Sequence, residues 1–213
     1  MHGPDPDTLY PIAGYDKLIF LKHFVKASNI LIGDYTYFDD RRYGPDKFEE
    51  NNVLYNYDFS KNRLVIGKFC AIAAETRFIM TGDHKLDAFS TFPFPIFGHG
   101  WEMAFNISDL PVKGDILVGN DVWFGYDSLV MNGVKIGNGA IIASKAVVVK
   151  DVPAYSIVAG NPAKVVKMRF DDQTIAELER IAWWDWDKEK ITKNLKAICH
   201  LDLERLKKAA LES

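Results

Sequence analysis

The sequence predicts a mainly β fold in which the chain winds into a parallel solenoid, followed by a short helical segment. Three observations indicate this fold. A six-residue pattern begins at residue 118 and ends near residue 160, an irregular stretch interrupts an earlier part of the same pattern, and the period changes after residue 170. Repetition at a fixed short period is typical of solenoids, in which each repeat packs on the next.

The repeat is clearest when the chain from residue 118 is divided into successive groups of six. A strand would show a period of two and a helix a period of 3.6, so neither explains it. We interpret each group as one short strand plus a corner, with its apolar first residue inside and its small or β-branched fifth residue at the bend. The first residues are Val118, Phe124, Val130, Ile136, Ile142, Val148 and Ala154, and the fifth are Val122, Ser128, Val134, Ala140, Ala146, Val152 and Val158.

Glycine follows the first residue in three of these seven groups. Glycine adopts backbone dihedrals that other residues resist. We therefore expect these glycines to supply the dihedrals of the solenoid corners. An ordinary antiparallel β-sheet protein is the alternative to the solenoid.

The same pattern occurs earlier in the chain, in IGKFCA and IAAETR, and an isolated member begins at Ile32. Ile66 of the earlier block and Val118 of the later one are 52 positions apart, which is not a multiple of six. An inserted loop over about residues 79–114 explains the lost register. The solenoid domain then covers residues 1–170.

Residues 171–213 are predicted to form a separate helical segment. Asp171 or Asp172 is suited to cap its first helix, and aliphatic residues continue at helical spacing. We expect this segment to cover an open edge of the coil or to pack against a neighbour, with its tryptophans as packing anchors. The apolar positions are Ile175, Leu178 and Ala182 in the first helix, then Trp183, Trp184 and Trp186, and Ile191, Leu195 and Ile198 in a second, and LDLERLKKAALES suggests a third.

The composition excludes several classes of protein. Hydrophobic residues make up 48% and charged residues 26% of the 213 residues, which is typical of a globular protein, and the net charge of −3 does not suit a nucleic-acid binder. No apolar run approaches the roughly 20 residues that span a bilayer, and the N-terminal residues lack a signal-peptide pattern. Cys70 and Cys199 form no metal or redox motif. We expect a cytoplasmic protein that uses no metal and has no nucleic-acid or membrane partner.

Several motifs carry a resemblance to a known family. GNDVWFG at 119–125, the block from 133 to 170 that contains GNPAK, and IAWWDW at 181–186 resemble the xenobiotic acetyltransferases among the hexapeptide-repeat transferases. GPDPDTLYPIAG, IGDYTYFDD and TGDHKLDAFSTFPFPIFGHGWE narrow the resemblance to the streptogramin A acetyltransferases, the Vat antibiotic-resistance enzymes. The likeness extends over nearly the whole chain. It departs from the family pattern at Phe124, where Ile is usual, and at Asn132, where Pro often precedes the glycine.

The resemblance implies a fold, a reaction and an assembly. The fold is a left-handed parallel β-helix, and its handedness comes from the family alone, since β crossovers are usually right-handed. The reaction is the acetylation of a hydroxyl of streptogramin A antibiotics of the virginiamycin M type, with acetyl-CoA as co-substrate, which inactivates them. The assembly is a homotrimer with an active site at each subunit junction.

The resemblance also assigns His84 as the general base. A hydroxyl is a poor nucleophile, and its proton must leave as the new C–O bond forms, so an imidazole within hydrogen-bond reach suits this step. The implied mechanism is direct attack without an acetyl-enzyme, and no nucleophile motif surrounds Ser144 or Cys70. The other ring nitrogen of His84 needs a carbonyl or carboxylate partner. Asp83 and Asp87 are near in sequence, and the sequence does not choose between these partners.

The resemblance implies two sets of binding residues. Aromatic and apolar groups should line the acceptor site, because streptogramin A is a large, mostly apolar macrocycle. Small residues at solenoid corners should admit the pantetheine arm of coenzyme A, and lysines should pair with its phosphates. The acceptor candidates are Tyr37, Tyr57, Pro93, Leu110 and Trp123, and the coenzyme candidates are Gly125, Ala143, Ser144, Ala159, Gly160, Asn161, Lys164 and Lys167.

Three other functions remain open from the sequence. A transferase on the same scaffold would acetylate another acceptor, such as chloramphenicol, a sugar or an amino acid. A zinc-dependent hydratase similar to γ-carbonic anhydrase needs three histidines at one metal, and only His84 and His99 share a loop here. A non-catalytic scaffold or sugar-binding solenoid is the third.

Overall fold

The computed structural model describes residues 3–57 and 61–212. Within them the chain forms fifteen strands and four α-helices, and none of these helices has the length and apolar character needed to cross a membrane. The strands are β1 (Leu18–Phe20), β2 (Ile30–Ile32), β3 (Tyr37–Asp39), β4 (Val53–Leu54), β5 (Leu64–Ile66), β6 (Ala71–Ala73), β7 (Arg77–Ile79), β8 (Ile116–Val118), β9 (Trp123–Phe124), β10 (Leu129–Val130), β11 (Lys135–Ile136), β12 (Ile141–Ile142), β13 (Val147–Val148), β14 (Ser156–Ala159) and β15 (Lys164–Met168). The helices are α1 (Phe48–Asn52), α2 (Asp172–Ile181), α3 (Lys188–Cys199) and α4 (Leu203–Leu211), and 3-10 helices occupy Leu21–Phe24, Pro45–Lys47, Phe94–Phe97, Trp101–Ala104, Ile107–Asp109 and Trp183–Asp185.

The strands from β2 to β14 form three sheets whose neighbouring strands are parallel. One sheet contains β2, β5, β8 and β11, another contains β4, β7, β10 and β13, and the third is built on β3, β6, β9, β12 and β14. Consecutive strands belong to different sheets, so three strands and three corners make one turn. Val118 pairs with Ile136, which lies 18 positions later and is therefore three repeats further along the chain. The predicted parallel solenoid is confirmed.

The core lies inside the coil, where six of the seven residues predicted to point inward are buried. The first residues of the hexads from Val118 to Val148 lie inside each turn, as with Phe124 and Ile142, which are fully buried. The small fifth residues, such as Ala140, are also buried. Phe124 packs edge-on against Phe78 of the preceding turn, with ring centroids 5.5 Å apart. The period-six interpretation of burial is therefore correct as far as Val148. Beyond it the last turn is two residues shorter, so Val152 and Val158, predicted at bends, pair with Ile136 and Ile142, whereas Ala154, predicted inside, is only partly buried.

The glycines that follow the first residues have a different role from the predicted one. Gly119, Gly125 and Gly137 do not adopt left-handed dihedrals. A Cβ added to Gly125 would lie 2.5 Å from the amide nitrogen of Ser144, and one on Gly137 would lie 2.4 Å from that of Ala154. The expectation that these glycines supply corner dihedrals is wrong: their missing side chains let successive turns approach closely.

Left-handed dihedrals occur instead at the fourth position of the hexads. Phe69, Glu75, Asp121, Asp127 and Lys145 all have φ between 55° and 63°. A non-glycine residue in this region costs about 1 kcal/mol or more. The stacking of the turns therefore imposes the corner, whatever side chain stands there.

Antiparallel strands close both ends of the third sheet. β1 pairs with β3 at one end, and β15 pairs with β14 at the other. These additions protect the terminal strands of the coil from pairing with other chains.

The C-terminal helices lie beside the coil, against one of its corners. Asp171 caps α2 by accepting from the backbone N–H of Thr174 at 2.7 Å, and Ala182 ends the helix in a left-handed conformation. The ring of Trp183 lies 5.0 Å from that of Phe69, and Lys68 forms an ion pair with Asp185. The helices enclose a small core of Ile181, Ala197 and Leu206.

The corner carboxyl of Asp121 should make stability depend on pH. Burial raises the pKa of Asp121 from 3.8 to about 6, although Arg169 lies 3.9 Å away and opposes this. The folded state therefore holds this proton more tightly than the unfolded state, and stability falls as the pH rises from about 4 to about 6. Asn tolerates the left-handed corner, so Asp121→Asn should raise the thermal midpoint at about pH 8 and raise it much less at about pH 4. Thermal melts at both pH values test this, and an equal change at both would contradict it.

Candidate active site

An insertion interrupts the coil between β7 and β8 without disturbing the stacking. It occupies residues 80–115, and β8, the strand after it, still pairs in parallel with β5 of the preceding turn, with Ile66 opposite Val118. Asp115 at its end accepts hydrogen bonds from the backbone N–H of Arg63 at 2.7 Å and from its guanidinium. The insertion also carries a cluster of stacked and edge-on rings, which are Phe92, Phe94, Phe97 and Trp101.

His84 lies exposed near the start of this insertion. Its Nδ1 donates a hydrogen bond to the backbone carbonyl of Thr91 at 2.7 Å. A carbonyl only accepts, so the hydrogen of the neutral ring is on Nδ1 and the lone pair is on Nε2. This is the tautomer that a general base acting through Nε2 requires.

Neither of the two nearby carboxylates binds this ring. Asp87 pairs with Lys85 at 2.7 Å, and the hydrogen bond from Lys85 holds the pKa of Asp87 below its usual value. Asp83 accepts from Lys113 at 2.5 Å and from the side-chain amide of Asn132. The partner that the sequence left open is therefore the carbonyl of Thr91.

A cavity of about 390 Å³ adjoins His84. Besides the start of the insertion, its walls include Tyr55 and Tyr57, which follow β4, and Leu129 and Met131, which lie in β10 and directly after it. The structure thus places Tyr57 with His84, as expected for residues of one site.

Tyr37 and Trp123 lie together in a separate groove of about 440 Å³ on the sheet built on β3, β6 and β9. Trp123 is 54% exposed, and burial is the main cause that raises the pKa of Tyr37, followed by the charge of Asp39. Pro93 and Leu110 lie in the insertion, next to two of its 3-10 helices, and line neither this groove nor the cavity at His84. Within one chain the five acceptor candidates therefore do not form a single site.

The small residues predicted for the coenzyme lie at one corner of successive turns. Phe124, Ile142 and Val158 pair in parallel, so Gly125, Ala143 and Ala159, which follow them directly, stack in a column.

The remaining coenzyme candidates adjoin this column in the chain or lie on β15, the strand that pairs with β14. The backbone of Ser144 lies directly against Gly125 of the preceding turn. Gly160 and Asn161 follow Ala159 in the chain, and the peptide bond from Asn161 to Pro162 is cis. Lys164 and Lys167 are exposed on β15, which pairs with β14. The arrangement offers a line of small residues with two cations beside it.

A larger cavity, of about 750 Å³, lies between the coil and the C-terminal helices. Phe69, Tyr155, Leu178 and Trp183 are among its lining residues, and the described residues that line it include no histidine and no predicted site residue. The described residues also contain no group of three His, Cys, Asp or Glu side chains placed to hold a metal ion. His84 and its cavity are therefore the better candidate for chemistry, despite the smaller volume.

Three residues around His84 were missed by the sequence interpretation. Thr91 contributes only its backbone carbonyl, which leaves no side-chain signature. Lys113 lies 30 positions from Asp83, at the other end of the insertion. Asn132 had been noticed as a departure from the family pattern, and that was the available signal.

Comparison with known proteins agrees with the hexapeptide repeat. Residues 115–150 match the family model described as "Bacterial transferase hexapeptide (six repeats)". A virginiamycin A acetyltransferase of Staphylococcus aureus is 48% identical over 209 residues, covering 97% of this chain and 94% of the relative. A probable macrolide acetyltransferase of Lysinibacillus sphaericus is 48% identical over 161 residues, covering 75% of this chain and 89% of the relative. A chloramphenicol acetyltransferase of Klebsiella aerogenes is 39% identical over 196 residues, covering 90% of this chain and 92% of the relative.

These relatives are all named as acetyltransferases. The identity to the virginiamycin enzyme extends along nearly the whole of both chains. The protein is thus an acetyltransferase and belongs to the Vat-like xenobiotic acetyltransferases of the hexapeptide-repeat family.

Proposed function

We propose that this enzyme transfers an acetyl group from acetyl-CoA to a hydroxyl of streptogramin A antibiotics of the virginiamycin M type, and that this inactivates them. The observation that carries the proposal is the hydrogen bond from His84 Nδ1 to the carbonyl of Thr91, at the edge of a cavity walled by tyrosines. The 48% identity to a virginiamycin A acetyltransferase supports the acceptor class.

His84 performs the proton transfers in this mechanism. The acceptor hydroxyl donates to Nε2, and its oxygen attacks the thioester carbonyl carbon of acetyl-CoA while Nε2 takes the proton. The carbonyl of Thr91 still accepts from the Nδ1–H of the imidazolium and so stabilises the charged ring. When the C–S bond breaks, Nε2 returns the proton to the departing sulfur. The products are an acetyl ester and free coenzyme A, and no acetyl-enzyme forms.

The column of Gly125, Ala143 and Ala159 fits an extended ligand such as the pantetheine arm. Small side chains allow a ligand to approach the backbone of successive turns, where amides and carbonyls bind its amide groups. Lys164 and Lys167 are exposed beside the column and are placed to pair with phosphates. Acetyl-CoA supplies the activated acetyl group as a thioester.

The proposed enzyme is a homotrimer of left-handed coils. Tyr37 and Trp123 lie on one sheet, whereas the cavity at His84 adjoins another, so a shared site needs two subunits. A cyclic trimer brings one face of each subunit against a different face of its neighbour. In this arrangement the aromatic groove of one subunit completes the acceptor site at His84 of the next.

Parallel assays of acceptors test the proposed activity. We expect purified enzyme with acetyl-CoA to convert virginiamycin M into a product heavier by one acetyl group, detected by mass spectrometry. His84→Ala protein is the control for uncatalysed transfer. Chloramphenicol is the second candidate acceptor, because a chloramphenicol acetyltransferase is 39% identical over most of its length. The proposal is wrong if virginiamycin M stays unmodified while chloramphenicol is acetylated.

A further inference from the structure

Asp83, the residue immediately before His84, lies at the point where both ends of the insertion meet the coil. Its carboxylate accepts from Lys113 on one oxygen and from Asn132 on the other. Asp83 belongs to the first end of the insertion and Lys113 to the last, whereas Asn132 belongs to the coil. We call these three side chains the Asp83 cluster.

The coil is shaped to receive the second end of the insertion beside this cluster. Gly133 follows Asn132 and adopts a left-handed conformation, with φ of 77°. A Cβ there would lie 2.5 Å from the carbonyl oxygen of Lys113. Glycine therefore lets the backbone of Lys113 rest on the corner, from which its ammonium reaches Asp83.

The side-chain amide of Asn132 makes its described hydrogen bond through its nitrogen, Nδ2, which donates to Asp83. Asn132 is 5% exposed, and within the described part of the chain its Oδ1 is buried without a hydrogen-bond partner. A buried acceptor without a partner destabilises the folded state. An aliphatic side chain at this position would avoid that cost, so the amide is explained by its bond to Asp83.

The cluster also determines which group faces His84. The ammonium of Lys113 at 2.5 Å neutralises Asp83, whose side chain is only 17% exposed. Among the described residues, the other ionisable groups around the ring are Tyr55 and Tyr57 of the cavity wall and the neighbouring pair of Lys85 and Asp87, which bind each other. With Asp83 engaged elsewhere, the neutral carbonyl of Thr91 is the partner of Nδ1.

We propose that Lys113 and Asn132 are positioning residues for acetyl transfer: by binding the carboxylate of Asp83, they fix the backbone before His84 and keep a negative charge from acting on its ring. This inference rests on the proposed role of His84 as the base. A carboxylate left unneutralised beside an imidazole favours the imidazolium, which is not a base. Loss of Lys113 therefore reduces the fraction of enzyme with an active base at neutral pH.

Replacement of Lys113 tests the electrostatic part, because this side chain is half exposed and its loss spares the core. In Lys113→Met we expect the titration midpoint of the His84 ring protons, followed by NMR, to move up by about 0.5 pH unit or more. The acid limb of kcat/KM against pH should move with it. Lys113→Arg keeps the cation and is the matched control, in which both midpoints should stay close to wild type. The His84 signal is identified by its loss in His84→Ala.

Replacement of Asn132 tests the geometric part. Asn132→Leu keeps a similar volume and removes the unpaired acceptor, so we expect little change in the thermal midpoint but a fall in kcat of about tenfold or more, with KM for acetyl-CoA retained. A purely structural role would lower stability and leave kcat per folded molecule unchanged.

The NMR titration separates this inference from the proposed reaction, because it needs no turnover. If the midpoint shifts in Lys113→Met but wild type acetylates no acceptor, the cluster acts on His84 as inferred and the proposed reaction is wrong. If wild type is active and Lys113→Met matches wild type in both the titration and the pH profile, the inference is overturned while the reaction stands.

Discussion

His84→Ala is expected to lower kcat by about 10²–10⁴-fold, the range that a positioned general base contributes. The ring is exposed and its described hydrogen bond is to one backbone carbonyl, so its removal should leave the coil folded. Steady-state kinetics with acetyl-CoA and virginiamycin M measure the loss. Circular dichroism and thermal melting establish that the variant is folded.

His99 provides the matched control for this prediction. It lies in the same insertion and is also exposed, but it does not line the cavity at His84. His99→Ala should therefore retain kcat within about twofold of wild type, as is usual for an exposed residue outside the chemistry. Retention of more than about a tenth of wild-type kcat in His84→Ala would show that another group takes the proton.

Mixed trimers give the second large effect, a recovery of activity from two impaired variants. Trp123→Ala should lower kcat/KM for the acceptor by about tenfold or more, since it removes an exposed aromatic contact surface. His84→Ala is inactive for a different reason. If each site takes its base from one subunit and Trp123 from the next, random mixed trimers regain about a quarter of wild-type activity.

Co-expression of the two variants with different affinity tags yields the mixed trimers, and light scattering of the product measures their mass. Each variant expressed alone supplies the baseline. Activity of the mixture that merely averages the two baselines would place Trp123 and His84 of one subunit in the same site, or Trp123 in none. A monomeric mass would remove the basis for shared sites altogether.

The solenoid could be predicted from the sequence because its core depends on side chains. The buried residues such as Phe124 and Ala140 recur every six positions, and this period has no common alternative. The corners could not be predicted, since their conformation is set by backbone stacking. Lys145 and Phe69 both adopt left-handed backbone dihedrals at their corners, although nothing in either side chain favours that conformation.

The candidate site was predictable to a similar extent. The family resemblance predicts His84 as its base, and the structure gives this ring a tautomer consistent with that role. Its partner is a backbone carbonyl, and residue type carries no information about that. Asp83 is the instructive case: nearness in sequence made it a candidate partner of His84, but Lys113, 30 positions away, binds it instead.

The insertion leaves and rejoins the coil at a single corner, and β7 and β8 on its two sides pair with strands of the neighbouring turns as if it were absent. The coil and the insertion are thereby modular. Lengthening, shortening or exchanging the insertion between its two anchored ends alters the surface beside His84, while the coil keeps its hydrogen bonds. Such an arrangement allows that surface to vary on an unchanged framework.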